Sequence, residues 1–134
     1  MFEDLEITLD LLAAEGAALA VCTNKRTDLS LALLDALDLT TRFAAVVGPD
    51  RALAPKPDPR HLITAIQAAG GDPSRALMVG DSISDVLAAQ AAGVPVAVVS
   101  FGYTETPAAN LGGDVLLDHF TELPAIARRL LARP

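Results

Sequence analysis

Residues 76–86 read ALMVGDSISDV, an apolar run that stops at Gly80 and is followed at once by two carboxylates, Asp81 and Asp85, four positions apart. An apolar run closed by glycine reads as a buried strand, and Ser82 with Asp85 three positions later resembles a capping box opening a helix. Two acids at the mouth of a buried strand repel each other and lose hydration unless a cation or a hydrogen-bond network compensates. The pair therefore asks for a third party, either a metal ion or the end of a helix.

Outward from this stretch the chain alternates between two periodicities. Upstream, Leu5, Leu9 and Leu12 recur at helical spacing before Gly16, a helix stop, and ALAVCT (18–23) reads as a fully buried strand. A second helix starts near Asp28 with Leu29, Leu33 and Leu37 on one face and leads into the strand AAVVG (44–48). Asp58 before Pro59 marks an N-cap and first helical residue, and Gly70 and Gly71 end that helix. Downstream of ALMVGD comes a helix through AAQAAG ending at Gly93, then VPVAVVS (94–100), a loop, the short strand DVLLD (114–118) and a closing helix to Leu131. Near-continuous apolar strands separated by helices predict an α/β fold with a parallel sheet covered on both faces. The 134 residues fit one domain. They show no internal repeat, low-complexity tract or linker.

Composition narrows the function classes. A net charge of −7 without a basic cluster argues against nucleic acid and anionic lipid, which are held mostly by Lys and Arg. Small anions remain open at a local site. Mean hydropathy is positive, yet no apolar run approaches a membrane span. The acidic start MFEDLE differs from a basic signal-peptide start, so the cytoplasm is the expected compartment. One cysteine, Cys22, excludes an internal disulfide and a zinc cluster; inside its strand it reads as a small core residue.

In parallel sheets ligands bind at the carboxyl ends of the strands. Thr23 and Asn24 stand after the first strand, Lys56 in the loop after the second, and Asp81 with Asp85 after the third. A hydroxyl and backbone N–H groups can bind phosphoryl oxygens, a lysine can neutralise their charge, and carboxylates can hold Mg²⁺, a hard cation that prefers oxygen.

VCTNK (21–25), KPDP (56–59) and VGDSISD (79–85) resemble, in order and spacing, the second, third and fourth motifs of the haloacid dehalogenase superfamily. Each alone is a weak signal, but the ordered set is specific and covers essentially the whole chain. The stretch from Ser100 to Leu123 is similar to the phosphoglycolate phosphatase branch. The resemblance implies a Rossmann-like three-layer αβα core and a Mg²⁺-dependent phosphatase acting on a small phosphorylated metabolite such as 2-phosphoglycolate. It implies that Thr23 binds the phosphoryl group, that Lys56 steadies the charged intermediate, and that Asp81 with Asp85 positions Mg²⁺ directly or through water. Tyr103 in FGYTE is by the same resemblance a residue of the site rim, with packing as the alternative.

The departure matters as much. Phosphatases of that superfamily begin with a strand ending in Asp-x-Asp-x-Thr, whose first aspartate is the nucleophile, and no Asp-x-Asp occurs in these residues. The nearest imitation, ITLDLL (7–12), lies in a helical pattern, so Asp10 is not read as the nucleophile. The chain accordingly reads as starting after that strand and the helical cap behind it. Two apolar strands, 18–23 and 76–81, are then expected to face one gap, which is relieved either by their closing up and pairing with each other or by a second copy or a complementing N-terminal segment. Simpler readings stand beside these. Thr23 and Asn24 also suit a turn, Lys56 between prolines suits a solvated loop, and His61 and His119 read as surface or helix-end residues rather than ligands. A degenerate module that binds phosphate and metal without turnover, or a regulatory partner with a vestigial site, is the alternative to the enzyme.

Overall fold

The structure, a computed structural model, describes residues 2–52, 54–99 and 112–131, with side chains from residue 5 onward. Leu9 and Leu12 are buried on one face of α1 (Phe2–Ala14). There follow β1 (Ala20–Cys22), α2 (Thr27–Ala36), β2 (Ala45–Val47), α3 (Pro59–Ala68), β3 (Met78–Gly80), α4 (Ile83–Ala92), β4 (Val96–Val99), β5 (Val115–Leu117) and α5 (Leu123–Leu131). Each element that the apolar spacing predicts is present. Local chemistry sets the ends: the Asp58 side chain accepts from the Arg60 N–H and Pro59 takes the first helical position of α3. Gly93 closes α4 at φ +72°, a left-handed conformation that side-chain-bearing residues rarely adopt.

All strand pairs among the described residues are parallel. β1 pairs with β2, Val21 opposite Val46; β4 lies between β3 and β5, with Val79 opposite Ala97 and Val98 opposite Leu116. Successive side chains of β4 point to opposite faces. Val96 and Val98 pack with Leu62 of α3, Met78, and Val86 and Ala89 of α4, while Ala97 and Val99 pack with Leu12 of α1, Leu117, and Leu123 and Ala127 of α5. The result is the three-layer αβα arrangement, α3 and α4 on one face and α1 and α5 on the other. Cys22 of β1 packs against the first of these clusters, which joins the two ladders through α3.

β1 and β3 belong to separate ladders, and among the described residues no strand lies between them. This corrects the reading of β1 as fully buried: Ala20 is exposed and Val21 and Cys22 are half-buried. Among the described residues one edge of β1 is paired, whereas β4, flanked on both sides, is buried throughout. A second difference concerns α2, whose leucine stripe faces outward, Leu29 being 55% and Leu33 50% exposed. The helix turns Thr27 and Ser30 inward instead, because its first turn is tied to the loop after β2.

Candidate active site

The gap between β1 and β3 opens as a cavity of about 340 Å³ lined by Cys22, Thr23, Lys56, Gly80, Asp81 and Asp85, with Met78 and Phe120 among the apolar walls. The sequence motifs that stood tens of residues apart thus meet at the carboxyl ends of three strands. Tyr103 falls outside the described residues.

Lys56 is the best-held residue there. Its Nζ donates to the Cys22 carbonyl at 2.8 Å and to Asp85 Oδ1 at 2.5 Å, with the two side chains of that ion pair 9% and 6% exposed. Lys56 is therefore not a solvated loop lysine. Its pairing offsets the desolvation that a lone buried ammonium would suffer. Asp85 Oδ2 accepts from the N–H of Asp81, the N–H of Ser82 and Ser82 Oγ. The reciprocal Ser82 cap on the Asp85 N–H completes a capping box at the start of α4. The helix-cap reading of ALMVGDSISDV therefore holds, and a lysine is the partner of Asp85. Gly80 is required by this closeness: a Cβ there would stand 2.5 Å from Asp85 Cγ.

Asp81 lines the same cavity, half-buried, and its carboxylate has no hydrogen-bond partner among the described residues. A hard cation held by one or two carboxylates, with phosphate and water completing its oxygens, fits that carboxylate as a ligand. The fit is to one ligand rather than a cage, since no group of three or more His, Cys, Asp or Glu side chains among the described residues is placed to hold a metal ion.

Thr23 Oγ1 accepts from the Lys25 N–H at 3.0 Å, the turn that its position after a strand suggested, and its hydroxyl hydrogen remains to be donated. Asn24 spends its side chain on Lys56: Oδ1 accepts from the Lys56 N–H at 2.9 Å and Nδ2 donates to the Lys56 carbonyl at 3.1 Å. Burial pushes the Cys22 thiol up to about 11, with Asp85 adding to the rise and Lys56 opposing it, so it stays protonated near neutrality.

Sequence reasoning passed over two residues. His61, read as a surface or helix-end residue, does sit in the first turn of α3 but is fully buried, with Nδ1 3.1 Å from the Lys56 nitrogen and Nε2 2.9 Å from the Val47 carbonyl. His119, by contrast, is exposed. Asp50 accepts from the Thr27 N–H and Oγ1 at 2.8 and 3.0 Å, and so caps α2 from the loop after β2. The Asp50–Thr27 and His61–Val47 contacts span sequence distances that no local pattern encodes.

Known proteins share this chain's fold. The family model for haloacid dehalogenase-like hydrolases matches residues 1–99. A phosphoglycolate phosphatase of Caulobacter vibrioides is 53% identical over 127 residues, covering 95% of this chain and 53% of the relative. Among solved structures, a predicted phosphoglycolate phosphatase from Haemophilus somnus superposes with a TM-score of 0.85 at 32% identity, over 92% of this chain and 55% of that one. CbbY from Rhodobacter sphaeroides, solved in complex with phosphate, gives 0.76 at 28% identity, over 90% and 54% of the two chains. The chain spans about half the length of the curated relatives it matches.

Proposed function

The chain belongs to the haloacid dehalogenase-like hydrolase family, and from that premise we propose that it carries the phosphate- and cation-handling part of a phosphoric monoester hydrolase whose substrate is a small phosphorylated metabolite, 2-phosphoglycolate by similarity to its relatives. The observation that supports this most is the convergence of Thr23, Lys56, Asp81 and Asp85 on one cavity at the strand ends. In this reading the Thr23 hydroxyl and Lys56 Nζ donate to phosphoryl oxygens, Nζ exchanging or sharing its bond to the Cys22 carbonyl. Donors fixed in advance stabilise developing charge without reorganising during the reaction. Asp81 with Asp85 would hold Mg²⁺, and the ion would supply charge neutralisation to the transferring phosphoryl group. A cytoplasmic setting belongs to the same reading, a lone cysteine being at home among reduced thiols.

One sequence fact favours binding without turnover for these 134 residues by themselves: they contain no Asp-x-Asp. The chain is expected to bind inorganic phosphate in a Lys56-dependent way. With Mg²⁺ it is expected to hydrolyse neither p-nitrophenyl phosphate nor 2-phosphoglycolate above background, since loss of a nucleophile removes orders of magnitude in rate. Robust turnover abolished by Asp81→Ala would show that a nucleophile is present in the chain after all. Phosphate binding indifferent to Lys56→Met would remove the site from consideration.

A further inference from the structure

Every polar atom of Lys56 has a partner, and the partners come from three strand ends. Nζ is held by the Cys22 carbonyl at the end of β1 and by Asp85 beyond β3. The main-chain N–H is shared between Asn24 Oδ1 and His61 Nδ1, and the main-chain carbonyl accepts from Asn24 Nδ2. Asn24 thus grips both sides of one residue, as a neighbouring strand would. His61 ties the same N–H to the end of β2, for its Nε2 meets the Val47 carbonyl, which can only accept. The ring must therefore carry its hydrogen on Nε2 and offer Nδ1 as an acceptor. One neutral tautomer satisfies both contacts.

We infer that Asn24 and His61 are positioning residues for Lys56, gripping its peptide groups so that Nζ is delivered to the cavity between Cys22 and Asp85. Asn24 then acts through Lys56 rather than by touching phosphate. A fully buried imidazole needs such a purpose, because an apolar side chain of similar size would fill the space without any polar group to satisfy. The consequence for ligand affinity rests on the phosphate reading above; the positioning itself does not.

The test uses the full 134-residue chain, isotope-labelled for NMR, with inorganic phosphate as the probe. Without phosphate, the His61 ring should show the Nε2–H tautomer and a coupling across the hydrogen bond between Nδ1 and the Lys56 amide nitrogen. The Lys56 Cε signal reports whether Nζ stays on Asp85, and Asp85→Asn supplies its released position. His61→Gln, which reaches Val47 but offers nothing at the Nδ1 position, and Asn24→Ala should both move that signal toward the released position. His61→Asn, which keeps an acceptor at the Nδ1 position, should leave it in place. Phosphate affinity should fall about tenfold in the first two and stay close to wild type in the third, the loss expected from one misplaced charge-assisted hydrogen bond. An Nδ1–H tautomer, or a Lys56 Cε signal unmoved in both His61→Gln and Asn24→Ala, overturns the inference. If the signal moves as stated while wild-type protein binds no phosphate, the positioning stands and the phosphate reading falls.

Discussion

Asp85 carries two duties on separate oxygens, one toward the Lys56 ammonium and one toward the N-terminus of α4. Removing it strands a buried cation and leaves helix donors without an acceptor. Removing Lys56 leaves an anion that still receives three hydrogen bonds. Asp85→Ala is accordingly expected to lower stability by about 3–5 kcal/mol, the usual cost of breaking a buried pair, and Lys56→Met by distinctly less. Urea unfolding of the two variants checks the order and the size. A loss below about 1 kcal/mol for Asp85→Ala would mean that the pair behaves as a solvated surface bridge.

Among the elements, α2 takes the cap of its first turn from outside itself. Its N-cap residue, Arg26, makes no side-chain cap, and the first turn is capped instead by Asp50 from the loop after β2. The Thr27 N–H is the main cause holding the Asp50 carboxyl below its ordinary value. A carboxylate with a lowered folded-state pKa adds stability that is complete above its unfolded value, about 3.9, and is lost as pH falls through the lower folded value. Asp50→Asn should therefore speed amide exchange at residues 27–30 at pH 6. The gap between variant and wild type should persist through about pH 4 and close only as the pH is taken below the lowered folded-state value, where the native carboxyl is also protonated. Equal exchange at pH 6 would show that α2 needs no cap from this loop. The contact also links the loops after β1 and β2, the two that deliver Thr23 and Lys56 to the cavity.

Over the whole molecule the decisive feature is the gap between β1 and β3. Parallel strands facing a cavity with one edge unpaired invite a further strand, since backbone groups sheltered from water seek partners. Apolar side chains exposed on three helices, Ile7 and Leu11, Leu29 and Leu33, and Ile83 and Leu87, add to the tendency. The 134-residue chain is expected to self-associate at micromolar concentration, with amide protection at residues 20–22 and 78–80 rising with concentration. Sedimentation velocity and hydrogen exchange over a concentration series measure both. A monomer with constant protection at those positions would rule out pairing through the gap. Direct closure of the two ladders would require α3 to repack, since its Leu62 shares one cluster with Met78 and Cys22.

Much of this was legible in the residues alone. Apolar runs broken by helical spacing determined five parallel strands and their flanking helices, because period and burial are properties of consecutive residues. Asp58–Pro59 and Ser82 with Asp85 announced their caps for the same reason, their partners lying within a turn. Motif order likewise marked Thr23, Lys56, Asp81 and Asp85 as one group, and the structure places them around one cavity. What the chain could not announce were choices between partners distant in sequence. Only the tertiary structure decided that Lys56 pairs with Asp85 and leaves Asp81 as the available carboxylate, that Asn24 grips Lys56, and that His61 is buried to join Val47 to Lys56. It also turned the leucine stripe of α2 outward and left β1 half-exposed, since an element's inner face is set by which neighbours reach it. Spacing fixes what a segment can become; packing fixes which of its groups are left to act.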